Sequence, residues 1–368
     1  MSAILNDEQG MIQDIARKFA QARLAPKAAE REKAGRIEAD IINELGELGF
    51  LGMTVPIESG GAGADYVSYA LALMEIAGGD GAVSTMMSVH NAPFLAILQR
   101  FGSPEQKERW LEPAARGAFI GCFALTEPDT GSDAAAIKAT ARRSGDGYVI
   151  NGTKQFITSA RIGGATIVFA VTDAAAGKKG LSAFYVPQDT PGLTVGPPEH
   201  KMGQKASDTC PLTFDDVHVG RDALLGEEGQ GLAIALSSLE SGRIGIASQS
   251  VGMARAAFDY AARYALDRKT FGKALVEHQA VAFRLADMDM QLEAATQLTL
   301  NAARLKDAGL PCLRETSDAI QILGGYGYLQ DYPLERIYRD VRVCQIYEGT
   351  SDVQKINISR ELLKRLKS

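Results

Sequence analysis

Ser144-Gly145-Asp146-Gly147-Tyr148-Val149-Ile150-Asn151-Gly152-Thr153 sets two turn-forming pairs, Asp146-Gly147 and Asn151-Gly152, around an aromatic and β-branched run. Asx-Gly pairs tolerate the positive φ angles of tight hairpin turns, and the run between them suits a half-buried pleated surface. The stretch predicts strands joined by tight turns. Runs of similar texture recur at Ala139–Arg142, Tyr148–Ile150, Thr166–Val171, Ser182–Val186, Leu193–Val195 and Pro211–Val219. No helical period separates them. Strands in direct succession favour an antiparallel barrel or sandwich over a doubly wound sheet, whose parallel strands need crossover helices. A β domain is expected over residues 121–224.

Helical patterns flank it on both sides. Met11, Ile12, Ile15 and Phe19 follow a 3.6-residue period, with Pro26 soon after. Ile41 to Leu48 forms a second amphipathic segment ending at Gly49, and further helices are expected at about Asp65–Ile76 and Val83–Phe101. Ser103-Pro104-Glu105-Gln106 reads as a helix cap with Pro at the first helical position. The break Ser59-Gly60-Gly61-Ala62-Gly63 lacks a preceding strand and a following Lys-Ser/Thr, so it reads as a loop and not a phosphate cradle. Beyond Gly229, Leu232 through Phe258 predicts one long helix rich in small residues. Val276–Leu305 predicts another, with Phe283, Ala286, Met290 and Leu292 toward a core. The fold class is multi-domain α+β: an N-terminal helical domain (1–120), a central antiparallel β domain (121–224) and a C-terminal helical bundle (225–368).

Composition narrows the function classes. Lys and Arg number 39 against 45 Asp and Glu, a formal charge of −6, which argues against a nucleic-acid binder. No apolar run is long enough to span a membrane. Met1 to Glu8 has neither a basic stretch nor an apolar core, so no signal peptide is expected. Cys122, Cys210, Cys312 and Cys344 are far apart, as are His90, His200, His218 and His278. These spacings predict buried thiols and surface imidazoles, no metal site, and a reducing compartment. That means the cytoplasm of a bacterium, or the mitochondrial matrix if the source is eukaryotic.

The chain has no Gly-x-Gly-x-x-Gly, Walker loop, Gly-x-Ser-x-Gly or His-Glu-x-x-His. Two junctions hold chemical interest instead. Thr126-Glu127-Pro128-Asp129-Thr130-Gly131-Ser132-Asp133 is a hydroxyl- and glycine-rich loop leaving a strand, suited to wrapping a polar ligand with N–H groups. Tyr347-Glu348-Gly349-Thr350-Ser351 puts a carboxylate beside a residue without Cβ, so a ligand can approach the backbone. Taken alone, these read more readily as a surface loop and a helix cap than as ligand sites.

At these residues the chain resembles the acyl-CoA dehydrogenase family. Leu125 to Asp133 resembles one family signature, and Gln321-Ile322-Leu323-Gly324-Gly325-Tyr326-Gly327-Tyr328, Tyr338-Arg339-Asp340 and Ile346 to Thr350 resemble the other. Arg268-Lys269-Thr270-Phe271-Gly272 followed by Gln279 is a third marker. The likeness runs from the first helix to Arg360 in the right order. It implies FAD held between the β domain and the C-terminal bundle. Phe123, Leu125, Thr126, Gly131, Ser132, Phe156, Ile157 and Thr158 would surround it, Thr158 meeting flavin N5 and Thr126 the pyrimidine side. Phe156 stands where many members have Trp. By the same resemblance Arg268, Phe271 and Gln279 reach the adenosine diphosphate of a neighbouring subunit's FAD. Gln321, Gly324 and Gly325 approach phosphates, and Thr350 and Asp352 add cofactor contacts. A homotetramer follows from that sharing.

The implied reaction is α,β-dehydrogenation of a short straight or branched acyl-CoA to the trans-2-enoyl-CoA. Glu348 is the implied base, flavin N5 the hydride acceptor and an electron-transferring flavoprotein the partner. Ser132, Glu240, Arg243 and Gly349 are the implied substrate contacts. Some members take the base from the residue before Arg243, which here is Gly242; Glu240 lies about 200° around the helix from it. Other readings are an acyl-CoA oxidase, or a catalytically dead acyl-CoA-binding protein or scaffold. The last draws on one departure: only Thr316-Ser317-Asp318 separate Arg314-Glu315 from Ala319, where members place a long helix. Loss of several turns from a bundle core would be strongly destabilising. The expectation is therefore a segment missing from this sequence and a widely separated join at Arg314–Asp318.

Overall fold

The computed structural model describes residues 4–310, Cys312, Arg339, Asp340, Asn357, Ile358 and Arg360. The first helical part holds α1 (Asp7–Phe19), α2 (Ala28–Ala34), α3 (Ala39–Glu47) and α4 (Tyr66–Gly79). It continues through α5 (Gly81–Val89), α6 (Ala96–Phe101), α7 (Pro104–Gln106) and α8 (Glu112–Ala115). Asn6 opens α1 with a capping box to Gln9, and Ser103 opens α7 with one to Gln106, so orphan N–H groups at both starts are satisfied. The buried stripe of α1 is Gln13, Ala16 and Phe19, whereas Met11 and Ile15 lie outward. The expected Val83–Phe101 helix starts at Gly81 and widens into a π-helical stretch at His90–Leu95. Pro93 lies inside that stretch and has no N–H for the regular ladder, an ordinary cause of such a distortion.

His90 is not the surface imidazole expected. It is fully buried; Gly121 N–H donates to its Nδ1 at 2.9 Å, so its Nε2 carries the proton toward Ala114 O at 3.0 Å. Burial pushes its pKa down to about 4, which keeps the ring neutral at physiological pH. This neutral ring fastens the helical part to the first strand.

The β part contains β1 (Ile120–Ala124), β2 (Thr140–Ser144), β3 (Gly147–Thr158) and β4 (Gly163–Val171). It goes on with β5 (Leu181–Pro187), β6 (Leu193–Val195), β7 (Thr209–Gly220) and β8 (Leu224–Leu225). The path β6-β7-β3-β2 joins β4-β5-β8 through one parallel pairing, Thr140 with Val171, and β1 also pairs in parallel with β4. All other pairings of this sheet are antiparallel. Its two halves enclose one core, with Ile150 and Leu212 from one and Val168 and Phe184 from the other. The Tyr148 and Phe184 rings meet edge to face at 4.8 Å. The opposite surface packs on the helices, where Trp110 stacks on Tyr185 at 4.0 Å.

Both turn pairs differ from expectation. Ser144 pairs with Gly147, so the two-residue turn is Gly145-Asp146, one position earlier than read. Asn151-Gly152 is not a turn at all. The register slips between Ile150 and Gly152, and Asn151 exchanges two 2.9 Å hydrogen bonds with Asp216, which has φ +49°. The side-chain amide thus replaces ladder bonds at a bulge.

α9 (Gly231–Asp267) spans 37 residues, about 55 Å. It lies so close to α4 that a Cβ on Gly252 would fall 2.1 Å from Met74 O. The hairpin of β9 (Lys269–Thr270) and β10 (Lys273–Ala274) leads to α10 (Gln279–Asp307). Only the later part of α10 joins the core, through Leu292, Ala295, Leu300, Ala302 and Ala303. Phe283, Ala286 and Met290, expected inside, are exposed, because described residues do not cover that half of the helix. Among the described residues, no helix is long and apolar enough to cross a membrane, and no residue group could hold a metal ion.

Candidate active site

Pro211 shapes the site by what it lacks. Along β3 and β7, Lys154 pairs with Leu212 and Ile157 with Cys210, so Gln155 and Phe156 together oppose Pro211. A proline has no N–H to donate, and the ladder bulges there. Phe156 takes φ +60°, unusual for a bulky side chain, and 61% of it is exposed. Such a conformation costs on the order of 1–3 kcal/mol and is held only where the surroundings enforce it. Gln155, freed from β7, donates its N–H to Thr126 O at 2.8 Å. The bulge thus ties β3 to the loop that leaves β1.

Beyond the bulge, Ile157 enters the core, Thr158 is half-buried opposite Thr209, and Ser159 turns with φ +62°. Asp208 holds that turn: its carbonyl accepts from Ser159 N–H at 3.0 Å and its Oδ2 from Arg161 N–H at 2.7 Å. Burial raises the Asp208 pKa, opposed by the Arg161 amide and Lys201. Burial also lowers Lys201 to about 8, and its Nζ reaches Thr209 Oγ1 at 2.8 Å.

The loop after β1 is anchored on its inner side. Phe123 meets Phe169 edge to face at 5.1 Å, and Leu125 is buried. The buried Lys154 ammonium contacts Glu127 Oε1 at 2.8 Å and Leu125 O at 3.1 Å. Glu127 and Thr130 bond each other's backbone, leaving Gly131 and Ser132 exposed. The amides of Gly131 and Ser132 make no hydrogen bond with described residues, and a Cβ on Gly131 would meet nothing within 4 Å. An exposed aromatic face, the Thr126, Thr158 and Ser132 hydroxyls and uncrowded amides are a donor set that fits a flavin with a phosphate tail.

Arg268, Phe271 and Gln279 form a second, separate group. Phe271 and Gly272 take φ +50° and +78° at the tip of the β9–β10 hairpin, the signs of a type I′ turn. Gly272 adopts that conformation without strain; Phe271 does not, and it is 98% exposed. Arg268 and Gln279 are exposed beside it. No hydrogen bond, ion pair or ring contact among the described residues joins this hairpin to the Phe156–Thr158 shelf. On α9, Glu240 pairs with Lys306 at 2.8 Å, and Arg243 is half-buried one turn on. Gln321, Gly324, Gly325, Glu348, Gly349, Thr350, Asp352 and the join at Arg314–Asp318 lie outside the described residues.

Lys154, Glu127, Asp208 and Pro211 were not singled out in the sequence. Two carried a readable signal: Lys154 sits on the inward parity of Tyr148 and Ile150, and Pro211 opens an otherwise strand-like run.

Three family models match in chain order: acyl-CoA dehydrogenase N-terminal domain at residues 6–118, middle domain at 122–217 and C-terminal domain at 229–363. The mitochondrial short-chain specific acyl-CoA dehydrogenase of Bos taurus is 45% identical over 382 aligned positions, covering 100% of this chain and 93% of that protein. The solved butyryl-CoA dehydrogenase of Megasphaera elsdenii is 40% identical with a TM-score of 0.93, covering 99% of this chain and 100% of its own. A chain from the structure described as "Electron transferring flavoprotein of Acidaminococcus fermentans: Towards a mechanism of flavin-based electron bifurcation" is 41% identical, with a TM-score of 0.93 and coverage of 99% and 100%. With all three domain models in order and the relatives matched over 93–100% of their length, the chain belongs to the acyl-CoA dehydrogenase family of FAD-dependent oxidoreductases.

Proposed function

We propose that this enzyme converts a short straight or branched acyl-CoA to the trans-2-enoyl-CoA and passes the electrons to an electron-transferring flavoprotein. The observation that carries the reading is the full-length similarity to short-chain specific relatives. FAD, when bound, supplies at N5 the acceptor for the hydride leaving the substrate Cβ. The chain's own residues do the rest. Phe156 would offer a stacking face smaller than Trp, the Thr158 hydroxyl would meet the N5 side, and Thr126 would donate at the pyrimidine side. The Gly131 and Ser132 amides, with the Ser132 hydroxyl, turn toward polar cofactor and substrate atoms. Glu348 takes the α-proton. Its own N–H holds the thioester carbonyl, where negative charge develops, so the proton becomes acidic enough for a carboxylate. Gly349 leaves room for the thioester, and Glu240 and Arg243 line the substrate side. Gln321, Gly324, Gly325, Thr350 and Asp352 complete the cofactor contacts, within domains at 1–120, 121–224 and 225–368. A bacterial cytoplasm is the proposed location; Cys122, Cys210 and Cys312 are buried free thiols.

The purified protein is expected to take up FAD and to bleach anaerobically with butyryl- or isobutyryl-CoA. Recovery of colour should then require an electron-transferring flavoprotein. A loaded protein that neither thioester bleaches would overturn the proposal, and fast recovery in air alone would make it an oxidase.

Arg268, Phe271 and Gln279 serve the FAD of a neighbouring subunit in a homotetramer. This accounts for a strained, exposed Phe271 that, among the described residues, has no link to its own chain's flavin shelf. Arg268→Ala should weaken FAD binding by about tenfold to a hundredfold, the worth of one charge-assisted hydrogen bond. It should also lower the tetramer fraction seen by analytical ultracentrifugation. Unchanged affinity in a stable monomer would contradict the sharing.

A further inference from the structure

We infer that Lys154 is a positioning residue for the flavin, acting through the loop that follows β1. The inference rests on the flavin-binding role given to that loop above.

The geometry points from the barrel interior to the cofactor face. The Lys154 side chain is 0% exposed and Glu127's is 6% exposed. Lys154 Nζ grips the carbonyl of Leu125 and the carboxylate of Glu127, the two neighbours of Thr126. The Thr126 carbonyl is held in turn by Gln155 N–H from the bulge. Thr126 is therefore fixed on three sides by two consecutive residues of β3. Glu127 extends the clamp, because its carboxylate also accepts Lys138 N–H at 2.6 Å and Ala139 N–H at 2.9 Å. Both ends of the excursion from Leu125 to Ala139 are thereby pinned to one ammonium. Between those ends Gly131 and Ser132 are exposed, and their amides make no hydrogen bond with described residues.

A purely structural reading of the pair is weak on physical grounds. Taking two charges out of water is expensive, and apolar residues of similar volume often stabilise a core at least as well. What the apolar replacement cannot do is fix carbonyl and amide directions on the far side of the strand. Lys154 lies on the inward parity where Ile150 also points, so an aliphatic residue would complete the core. Its Nζ instead satisfies loop groups that, among the described residues, have no other strand partner.

The test uses the whole protein with FAD. Lys154→Met combined with Glu127→Gln removes both charges together and avoids stranding a buried carboxylate. Wild type should take up FAD. The double variant should keep its far-ultraviolet spectrum and bind FAD at least tenfold more weakly. Its bound flavin should also show altered fine structure in the visible band and a shifted midpoint potential, readouts that a merely structural pair would not move. Wild-type affinity, spectrum and potential in the folded double variant would overturn the inference. Should that variant not fold, Glu127→Gln alone leaves one carbonyl oxygen for three donors and should weaken FAD at least threefold; no change there also overturns it. If neither variant folds, the pair is a folding element and the inference falls. A wild-type protein that takes up no FAD would instead remove the flavin reading of the loop, and this inference with it.

Discussion

With Glu348 as the base proposed above, Glu348→Gln should still bind FAD, and butyryl-CoA should bleach its flavin at least about a hundredfold more slowly. Removal of a general base costs about 10²–10⁴ in rate. Glutamine matches glutamate in size, so the acyl pocket and the backbone N–H at this position persist. An amide oxygen cannot accept the α-proton at neutral pH, and hydride transfer stalls without that step. Stopped-flow mixing under nitrogen separates this defect from lost affinity: the reduction rate at saturating thioester falls, whereas the concentration giving half the maximal rate changes little. Bleaching at the wild-type rate would remove Glu348 from the mechanism. The alternative carboxylate on α9 is already engaged, since Glu240 is paired with Lys306, which also lies 6.0 Å over the Tyr66 ring. Gly242, the position just before Arg243, has no side chain to offer.

How far the sequence could be read depended on the range of each signal. Helix–sheet–helix order follows from local periodicity, and α1, α4, α9 and the succession of strands lie where the patterns put them. Asn151-Gly152 failed as a turn because a turn pair specifies only that the backbone can reverse. Whether it does depends on the partner, and Asp216 on β7 converts the site into a bulge. Phe156 shows the same dependence: its left-handed conformation follows from Pro211, 55 positions away. Phe283 and Met290 fit an inward helical stripe, but burial needs something to lie beneath them, which helical period alone does not supply. The site divides in the same way. Thr126, Gly131, Ser132, Phe156 and Thr158 were legible as motifs through resemblance. Lys154, Glu127 and Asp208, which hold them, act across the fold: Glu127 lies within the quoted loop motif and Lys154 on an inward strand parity, but neither pattern tells which groups they hold.

Asp80→Ala should destabilise the FAD-loaded enzyme by about 3–5 kcal/mol through one broken pair, with about 1 kcal/mol more from a lost helix cap. Asp80 closes α4 and opens α5, and two kinds of bond meet on it. Its Oδ1 accepts from Ala82 N–H at 2.9 Å and from Val83 N–H at 3.4 Å, the orphan donors of the α5 start. Its Oδ2 takes the Arg31 Nε–H at 2.7 Å. Arg31 is fully buried, and its other close partners are the Leu24 carbonyl and, at 3.6 Å, a Glu38 oxygen. Without Asp80, a guanidinium that cannot lose its proton is left in the helical core with one carbonyl and a distant carboxylate. Asp80→Asn keeps the cap and a neutral acceptor for Nε–H, so its loss should be smaller. Arg31→Met together with Asp80→Asn should recover part of the stability lost in Asp80→Ala, since no buried guanidinium is left without its carboxylate and the Glu38 side chain is partly solvent-exposed. Urea unfolding at fixed excess FAD, followed by tryptophan fluorescence, reads all three. An Asp80→Ala midpoint within about 0.5 kcal/mol of wild type would mean that the core relaxes to let water reach Arg31. The Arg31–Asp80 contact would then not be what secures the α4–α5 corner.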